Sequence, residues 1–273
     1  MFDSGFGGLT VARALIDLLP AEDLVYIGDT GRYPYGPKPP EDVRAFAAEL
    51  AWSLVKEHDV KAIVVACNTA AAAGLDDLRE AVPVPMIDVV GPGAGSLVAT
   101  TASGRVGVIG TVGTIASGAY RHAVEAAATA GGRGVELTSA ACPGFVEFVE
   151  RGLTTGDEVT VLAERLLAPV NAAGVDALLL GCTHYPFLAR VIGDVMGSGV
   201  TLVSSADETA FAARRLLDEL GLLRPDDRIG RHRFLSSGDI ETFRDLGGRL
   251  LGPELNHTEA WSPPSTDAPP APC

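Results

Sequence analysis

The chain has 273 residues, 47% of them hydrophobic, and a formal net charge of −14 at pH 7, so it can bury one large core or, as we expect at this length, two modest ones. An acidic balance of this size argues against a nucleic-acid or anionic-membrane surface, because such a surface needs clustered Lys and Arg. The sequence has neither an apolar run of about 18 residues nor a secretory signal pattern, which favours a cytoplasmic protein with no membrane partner.

The first residues predict a short strand and a glycine-rich turn. Only Met1 and Phe2 precede Asp3, whereas a strand typically has about five or six residues, so either the first strand is shortened or the true start lies upstream of Met1. The turn 3–8 leads into a predicted helix and would present backbone N–H groups to an anion. Its glycine spacing does not fit a dinucleotide-binding turn and no Walker lysine follows, so we expect a carboxylate there, with Asp3 facing a ligand ammonium. The alternative is that Asp3 and Ser4 only cap the helix.

Short β-branched runs alternate with Ala- and Leu-rich helical stretches along the rest of the chain. We predict strands at 24–27, 61–66, 86–89, 105–109, 135–139, 177–180 and 200–203. These runs are continuously apolar, which indicates strands buried on both faces in a parallel sheet between helix layers. The predicted fold class is α/β.

Two kinds of strand-to-helix corner each occur twice, which suggests a duplication. The turn 109–115 echoes the turn 3–8, and the turn after Cys182 echoes the turn after Cys67. Two similar doubly wound parallel-sheet domains facing each other would bring all four corners to one active-site cleft, because ligands of such sheets bind outside the carboxyl ends of the strands. The run 90–95 is rich in Gly and Pro, directly follows a predicted strand, and is the expected crossing between the domains.

Cys67 and Cys182 each follow a predicted strand and precede a predicted helix. In that position backbone N–H groups and the helix dipole favour thiolate over thiol. The alternatives are packed structural cysteines, a disulfide between the two, and a nucleophilic pair of Cys182 with His184. The chain has no Cys-x-x-Cys and no His-x-x-x-His spacing, so we expect no metal site.

Two similar acid/base groups on opposed walls of one cleft suit the inversion of a stereocentre. One group removes a proton from one face of a carbon atom while the other delivers a proton to the opposite face. A thiol has an unperturbed pKa of about 8.5, so modest tuning can keep one thiol ionised and its partner protonated at neutral pH. A non-catalytic binding protein for an amino acid or peptide is the interpretation from another class, and it would leave two facing thiols unexplained.

Seven short blocks occur in the order seen in glutamate racemases, which belong to the cofactor-independent aspartate/glutamate racemase family. The blocks are Asp3-Ser4-Gly5, Gly28-Asp29, Pro34-Tyr35-Gly36, Ala66-Cys67-Asn68-Thr69, Ile109-Gly110-Thr111, Cys142-Pro143 and Gly181-Cys182-Thr183-His184-Tyr185-Pro186. The chain resembles that family over nearly its whole length, up to about Gly252. The resemblance implies a racemase that interconverts L- and D-glutamate without pyridoxal phosphate, metal or any other cofactor, and that supplies D-glutamate for peptidoglycan. An aspartate or hydantoin racemase is the nearest alternative.

The resemblance also implies roles for individual residues. Cys67 would take the α-proton from D-glutamate and Cys182 would take it from L-glutamate, with Asp3 and His184 assisting. The implied substrate-binding positions are Asp3, Ser4, Tyr35, Gly36, Asn68, Thr69, Thr183 and His184. Further candidates are Glu147, which matches a family acidic residue near the second thiol, and Thr111 and Thr114. Hydroxyls, Asn68 and backbone N–H groups would bind both carboxylates.

In this family the end of the chain packs back on the first domain, so the resemblance implies that the first domain is discontinuous. The expected bounds are 1–91 with about 206–252 for the first domain, 92–205 for the second, and 258–273 for a proline-rich disordered tail. Residues 233–236 would add a strand to the first sheet. Arg32 and Tyr33 are local variations without a clear chemical meaning. The expected partner is the small molecule glutamate, with a homodimer as one candidate assembly.

Overall fold

The computed structural model describes residues 1–225, 228–252, 255 and 257–263. Within these residues the strands are β1 (Phe2–Asp3), β2 (Leu24–Gly28), β3 (Ile63–Val65), β4 (Met86–Asp88), β5 (Arg105–Gly110), β6 (Glu136–Ala141), β7 (Ala177–Gly181), β8 (Thr201–Ser204), β9 (His232–Ser236) and β10 (Thr258–Ala260). They form a larger sheet in the order β10-β9-β2-β1-β3-β4 and a smaller sheet in the order β6-β5-β7-β8. Every strand pairing is parallel, so the predicted α/β class with two parallel sheets is confirmed.

Helices connect these strands. They are α1 (Leu9–Leu18), α2 (Pro40–His58), α3 (Asn68–Ala72), α4 (Asp76–Ala81), α5 (Val90–Thr100), α6 (Val112–Ala116), α7 (Ala119–Ala130), α8 (Phe145–Glu150), α9 (Asp157–Ala172), a 3-10 helix (Tyr185–Leu188), α10 (Ala189–Met196), α11 (Ser205–Glu219) and α12 (Ile240–Leu251). In the described part of the chain, none of the helices is long and apolar enough to cross a membrane.

Both sheets are covered by helices on both faces, as continuously apolar strands require. On the larger sheet, residues of α1, α11 and α12 form one core and residues of α2 form the other. On the smaller sheet, α9 and α10 cover one face, while α5 and α7 cover the other. All five residues of β7 are buried, which is why this strand carries no polar side chain.

Strand β1 lies at the centre of the larger sheet although it is only two residues long. Phe2 pairs with both Ile27 and Val65, and the ammonium of Met1 donates to the Val25 carbonyl at 2.6 Å. Burial lowers the pKa of this ammonium to about 5. A cavity of about 320 Å³ opens beside Met1, lined also by the first residues of β2. The two neighbouring strands thus hold the corner after β1, and the short strand leaves a gap in the sheet.

The glycine-rich run 90–95 lies where the chain passes from β4 of the larger sheet to β5 of the smaller sheet, as predicted, but it forms the first half of helix α5 rather than an irregular linker. The helix packs against α7 and α11. A Cβ atom at Gly93 would lie 3.0 Å from the Ser205 side chain, whereas Gly91 and Gly95 face open space. Glycine therefore allows close helix packing here, and composition alone does not distinguish that use from a linker.

Residues 258–260 form strand β10, so the prediction that the disordered tail begins at 258 was wrong. The strand pairs with β9 along its full length. Trp261 follows it, is buried, and donates from Nε1 to the Ser53 hydroxyl at 2.8 Å. The high proline content of the tail led to a prediction of disorder from position 258, although these few residues form an edge strand. The remainder of the predicted tail, 264–273, lies outside the described residues.

Candidate active site

The four strand-to-helix corners meet at one cavity of about 130 Å³, at the carboxyl ends of β1, β3, β5 and β7. The predicted site residues that line it are Ser4, Tyr35, Gly36, Cys67, Asn68, Thr69, Thr111, Glu147, Cys182, Thr183 and His184. Asp3 and Thr114 are buried but lie behind the lining. The cavity volume is about four times the volume of one water molecule in the liquid, which suits a small organic ligand.

Cys67 caps the start of α3 from within the cavity wall. Its Sγ accepts a hydrogen bond from the backbone N–H of Ala70 at 3.4 Å, and its thiol donates to the Ser4 hydroxyl at 3.4 Å. Burial raises the pKa of Cys67 to about 12, with a further rise from the Asp3 carboxylate, although Ser4 and Ala70 partly oppose this. The expectation that this position favours thiolate was therefore wrong for Cys67, because desolvation outweighs the effect of one N–H group and of a helix of five residues.

Cys182 is placed beside a histidine and a carboxylate. Its Sγ lies 3.9 Å from His184 Nδ1, and His184 Nε2 lies 3.4 Å from Glu150 Oε1. Burial acts to lower the pKa of His184, but hydrogen bonding to Cys182 and Glu150 prevails and raises it to about 10. A protonated His184 therefore faces the second thiol, and a chain of three groups runs from α8 to the cavity.

Asp3 supports the turn that follows β1. Its Oδ2 accepts from the backbone N–H groups of Gly5 at 3.2 Å and Gly8 at 2.9 Å. The turn packs tightly there, since a Cβ atom at Gly8 would lie 2.6 Å from Asp3 Cβ. These contacts favour the interpretation that Asp3 caps the helix. Its charge still acts on the site, because it contributes to the raised pKa of Cys67.

A cluster of threonine hydroxyls joins the two sheets beside Cys67. Thr69 Oγ1 lies 3.1 Å from Thr111 Oγ1, which lies 2.9 Å from Thr114 Oγ1. Next to the cluster, the Gly113 N–H donates to the Gly36 carbonyl at 3.3 Å. Thr69 and Thr111 face the cavity as predicted, whereas Thr114 is fully buried and supports them from behind.

Tyr35 is oriented by Asp29 at the end of β2. The Tyr35 hydroxyl donates to Asp29 Oδ2, which also accepts from Arg32 Nε at 2.7 Å. Asp29 Oδ1 accepts from the Ser237 hydroxyl at 2.6 Å. Burial and the adjacent Asp29 carboxylate raise the pKa of Tyr35, so its phenol stays protonated. Tyr35 thus anchors the loop that carries Gly36 into the cavity wall.

Several residues at or beside the cavity were not assigned to the site from sequence. They are Tyr33, Tyr120, Cys142, Glu150 and Tyr185. Glu150 could have been found, because it follows Glu147 by three residues on α8 and so lies near the same helix face. Tyr33, a variation without an evident role in the sequence, packs its ring 6.0 Å from that of His184. No spacing signal marks Tyr120 or Cys142.

Comparison with known proteins places this geometry in one family. The family model described as Asp/Glu/Hydantoin racemase matches residues 8–213. A glutamate racemase from Parafrankia is 55% identical over 256 residues, covering 93% of this chain and 91% of the relative. A glutamate racemase isoform from Bacillus anthracis superposes with a TM-score of 0.87 at 41% identity, covering 96% of this chain and 95% of the other. A Francisella tularensis glutamate racemase in complex with D-glutamate gives a TM-score of 0.86 at 36% identity, with 96% of each chain covered. The chain belongs to the Asp/Glu/hydantoin racemase family.

Proposed function

We propose that this chain interconverts L- and D-glutamate by a two-thiol reaction that uses no cofactor. The observation that carries the proposal is the placement of Cys67 and Cys182 on one small cavity, each just after an interior strand of a different sheet. Near-symmetric thiols are what proton removal from one face of a carbon and delivery to the other face require.

The proton transfers balance within the two thiols. A thiolate forms an S–H bond with the α-proton, and the electron pair of the broken C–H bond stays on the α-carbon, delocalised into the adjacent carboxylate. The opposite thiol then gives its proton to the other face of that carbon. Each turnover leaves the two sulfurs with exchanged protonation states. In this proposal Cys67 takes the proton from D-glutamate and Cys182 takes it from L-glutamate.

The neighbours of the two thiols differ in charge. Burial raises the pKa of Cys67 to about 12, so this thiol is protonated at neutral pH. Cys182 faces His184, whose raised pKa keeps the imidazole charged at neutral pH. A substrate ammonium close to Cys67 would ease the ionisation of that thiol.

Hydroxyls and backbone N–H groups supply the donors for the two substrate carboxylates. Ser4, Thr69, Thr111 and Thr183 line the cavity, and no arginine is among the described residues that line it. These neutral groups can donate hydrogen bonds to an anion. Glu147 also lines the cavity and is the candidate partner for the substrate ammonium near the second thiol.

Glutamate is the proposed substrate because a relative that is 55% identical to this chain is a glutamate racemase, and the similar Francisella structure contains D-glutamate. Aspartate and hydantoins are the alternatives that the family description includes. We further propose a cytoplasmic location, a homodimer as the assembly, and a role in supplying D-glutamate for peptidoglycan. Depletion in the host should then create a requirement for D-glutamate.

The substrate is tested by optical rotation. Purified protein without added cofactor should bring L-glutamate and D-glutamate to the same zero rotation, while L-aspartate and a 5-substituted hydantoin keep theirs. Racemisation of aspartate or the hydantoin, but not of glutamate, would show that glutamate is not the substrate. Folded protein that changes none of them would contradict the proposed enzyme.

A further inference from the structure

A buried hydrogen bond joins the residue after the first thiol to a helix of the other sheet. Asn68 follows Cys67 and begins α3, while Tyr120 lies in the first turn of α7. Asn68 Nδ2 donates to the Tyr120 hydroxyl at 2.6 Å, and both residues are only 2% exposed. The bond therefore ties the Cys67 corner directly to the helix layer of the smaller sheet.

This bond leaves one atom of the Asn68 amide without a partner. Nδ2 is engaged by Tyr120, and Asn68 Oδ1 is buried with no hydrogen bond among the described residues. Leaving a buried acceptor unpaired destabilises the fold. Asn68 lines the cavity, so a bound ligand can supply the missing donor. Because Oδ1 only accepts, the donor must be an N–H or O–H group rather than a carboxylate.

Tyr120 also contacts the second thiol's corner. A Cβ atom at Gly181, the residue before Cys182, would lie 3.0 Å from Tyr120 Cε2. Glycine at 181 thus lets the Tyr120 ring lie against the end of β7, and the ring's position is set by the strand that carries Cys182. The Tyr120 side chain thus contacts Gly181, the residue before Cys182, and Asn68, the residue after Cys67.

We propose that Tyr120 is a positioning residue that fixes the Asn68 carboxamide so that Oδ1 receives an N–H of the bound amino acid's ammonium. The proposal rests on the proposed amino-acid racemase function. Asn68 was expected to help bind the carboxylates, and this orientation gives its Oδ1 a further role as an acceptor for the ammonium. Anchoring on the smaller sheet holds the ammonium at a constant place between the two thiols, so both enantiomers use the same contact.

The test is a double-mutant cycle with Tyr120→Phe, Asn68→Ala and the double variant, measured in both reaction directions. Tyr120→Phe keeps the ring and removes only the hydroxyl. We expect it to raise KM for each enantiomer about tenfold and to leave kcat within about twofold of the wild type. In the Asn68→Ala background, Tyr120→Phe should raise KM no further, because it acts only through Asn68.

The matched control is Ser53→Ala, which removes a buried hydrogen bond to Trp261, and neither of these residues lines the cavity. It should lower the thermal midpoint as Tyr120→Phe does, without changing KM. Unchanged KM in Tyr120→Phe, or a further tenfold rise in the double variant, would overturn the positioning role while wild-type turnover still supports the racemase. Wild-type protein inactive on every amino acid tested would instead contradict the proposed function, and this inference with it.

Discussion

The two thiol corners have the same place in their sheets and different chemical surroundings. Cys67 and Cys182 each follow a buried interior strand, but the thiol of Cys67 donates a hydrogen bond to the Ser4 hydroxyl, whereas Cys182 faces His184 and, through it, Glu150. Similar corners in the two sheets thus supply matching positions for two acid/base groups, while the side chains around each corner give the two sulfurs different electrostatic surroundings.

The comparison predicts first that the two thiols are equally required despite their surroundings. Cys67→Ser and Cys182→Ser should each lower kcat in both directions by about a thousandfold or more, because each turnover needs both sulfurs. Cys142→Ser is the contrast, since this third buried thiol lines the cavity but follows β6, the edge strand of the smaller sheet. This variant should lower kcat by less than about tenfold. Kinetics by circular dichroism would measure all three. Full turnover in either corner variant would refute the two-thiol account.

The second prediction concerns the neighbours of the thiols, where the corners differ. His184→Asn removes the cation beside Cys182 and should lower kcat about a hundredfold. Ser4→Ala removes one neutral hydrogen bond to Cys67 and should lower it about tenfold or less. Steady-state kinetics on both enantiomers measure the two losses. Equal losses of kcat in the two variants would show that the side chains around the two sulfurs contribute equally to catalysis.

A third prediction uses the pH dependence of stability. The pKa of His184 is raised from 6.5 to about 10 in the folded protein, so its stabilising contribution is complete below pH 6.5 and is lost as the pH rises through about 10. The unfolding free energy of the wild type should therefore fall relative to that of His184→Gln across this window, at about 1.4 kcal/mol per pKa unit. Urea unfolding at stepped pH measures the difference, and parallel curves would show that His184 is uncharged in the folded state.

The smallest expected effect concerns thermal stability and the length of two central strands, since β1 has two residues and β5 has six. Adding three β-branched apolar residues before Met1 should fill the gap beside it and remove the buried ammonium, raising the thermal midpoint by about 3 °C or more. Because the pKa of that ammonium is lowered from 8.0 to about 5, wild-type stability should rise between these pH values and that of the extended protein should not. A Gly-Ser extension of equal length is the control, and an equal gain from it would contradict the filling of the gap.

Much of this site could be predicted from sequence because strand-helix alternation fixes where a corner lies. Cys67, Cys182 and the polar residues after them follow apolar strands, and parallel sheets bring such corners together. The protonation of Cys67 could not be predicted, because it depends on desolvation by residues distant in the chain. The same holds for Tyr120 and Tyr33, which reach the site through helix and loop packing, and for strand β10, whose pairing partners each lie 24 residues earlier in the sequence.

The origin of the delivered proton tests the central claim most directly. L-Glutamate is incubated with the protein in D2O, and the α-deuterium content of substrate and product is followed by mass spectrometry over the first few per cent of conversion. Two opposed thiols predict D-glutamate that carries deuterium from the start, while the remaining L-glutamate stays unlabelled. Equal early labelling of both enantiomers would show a single base serving both faces and would contradict the account.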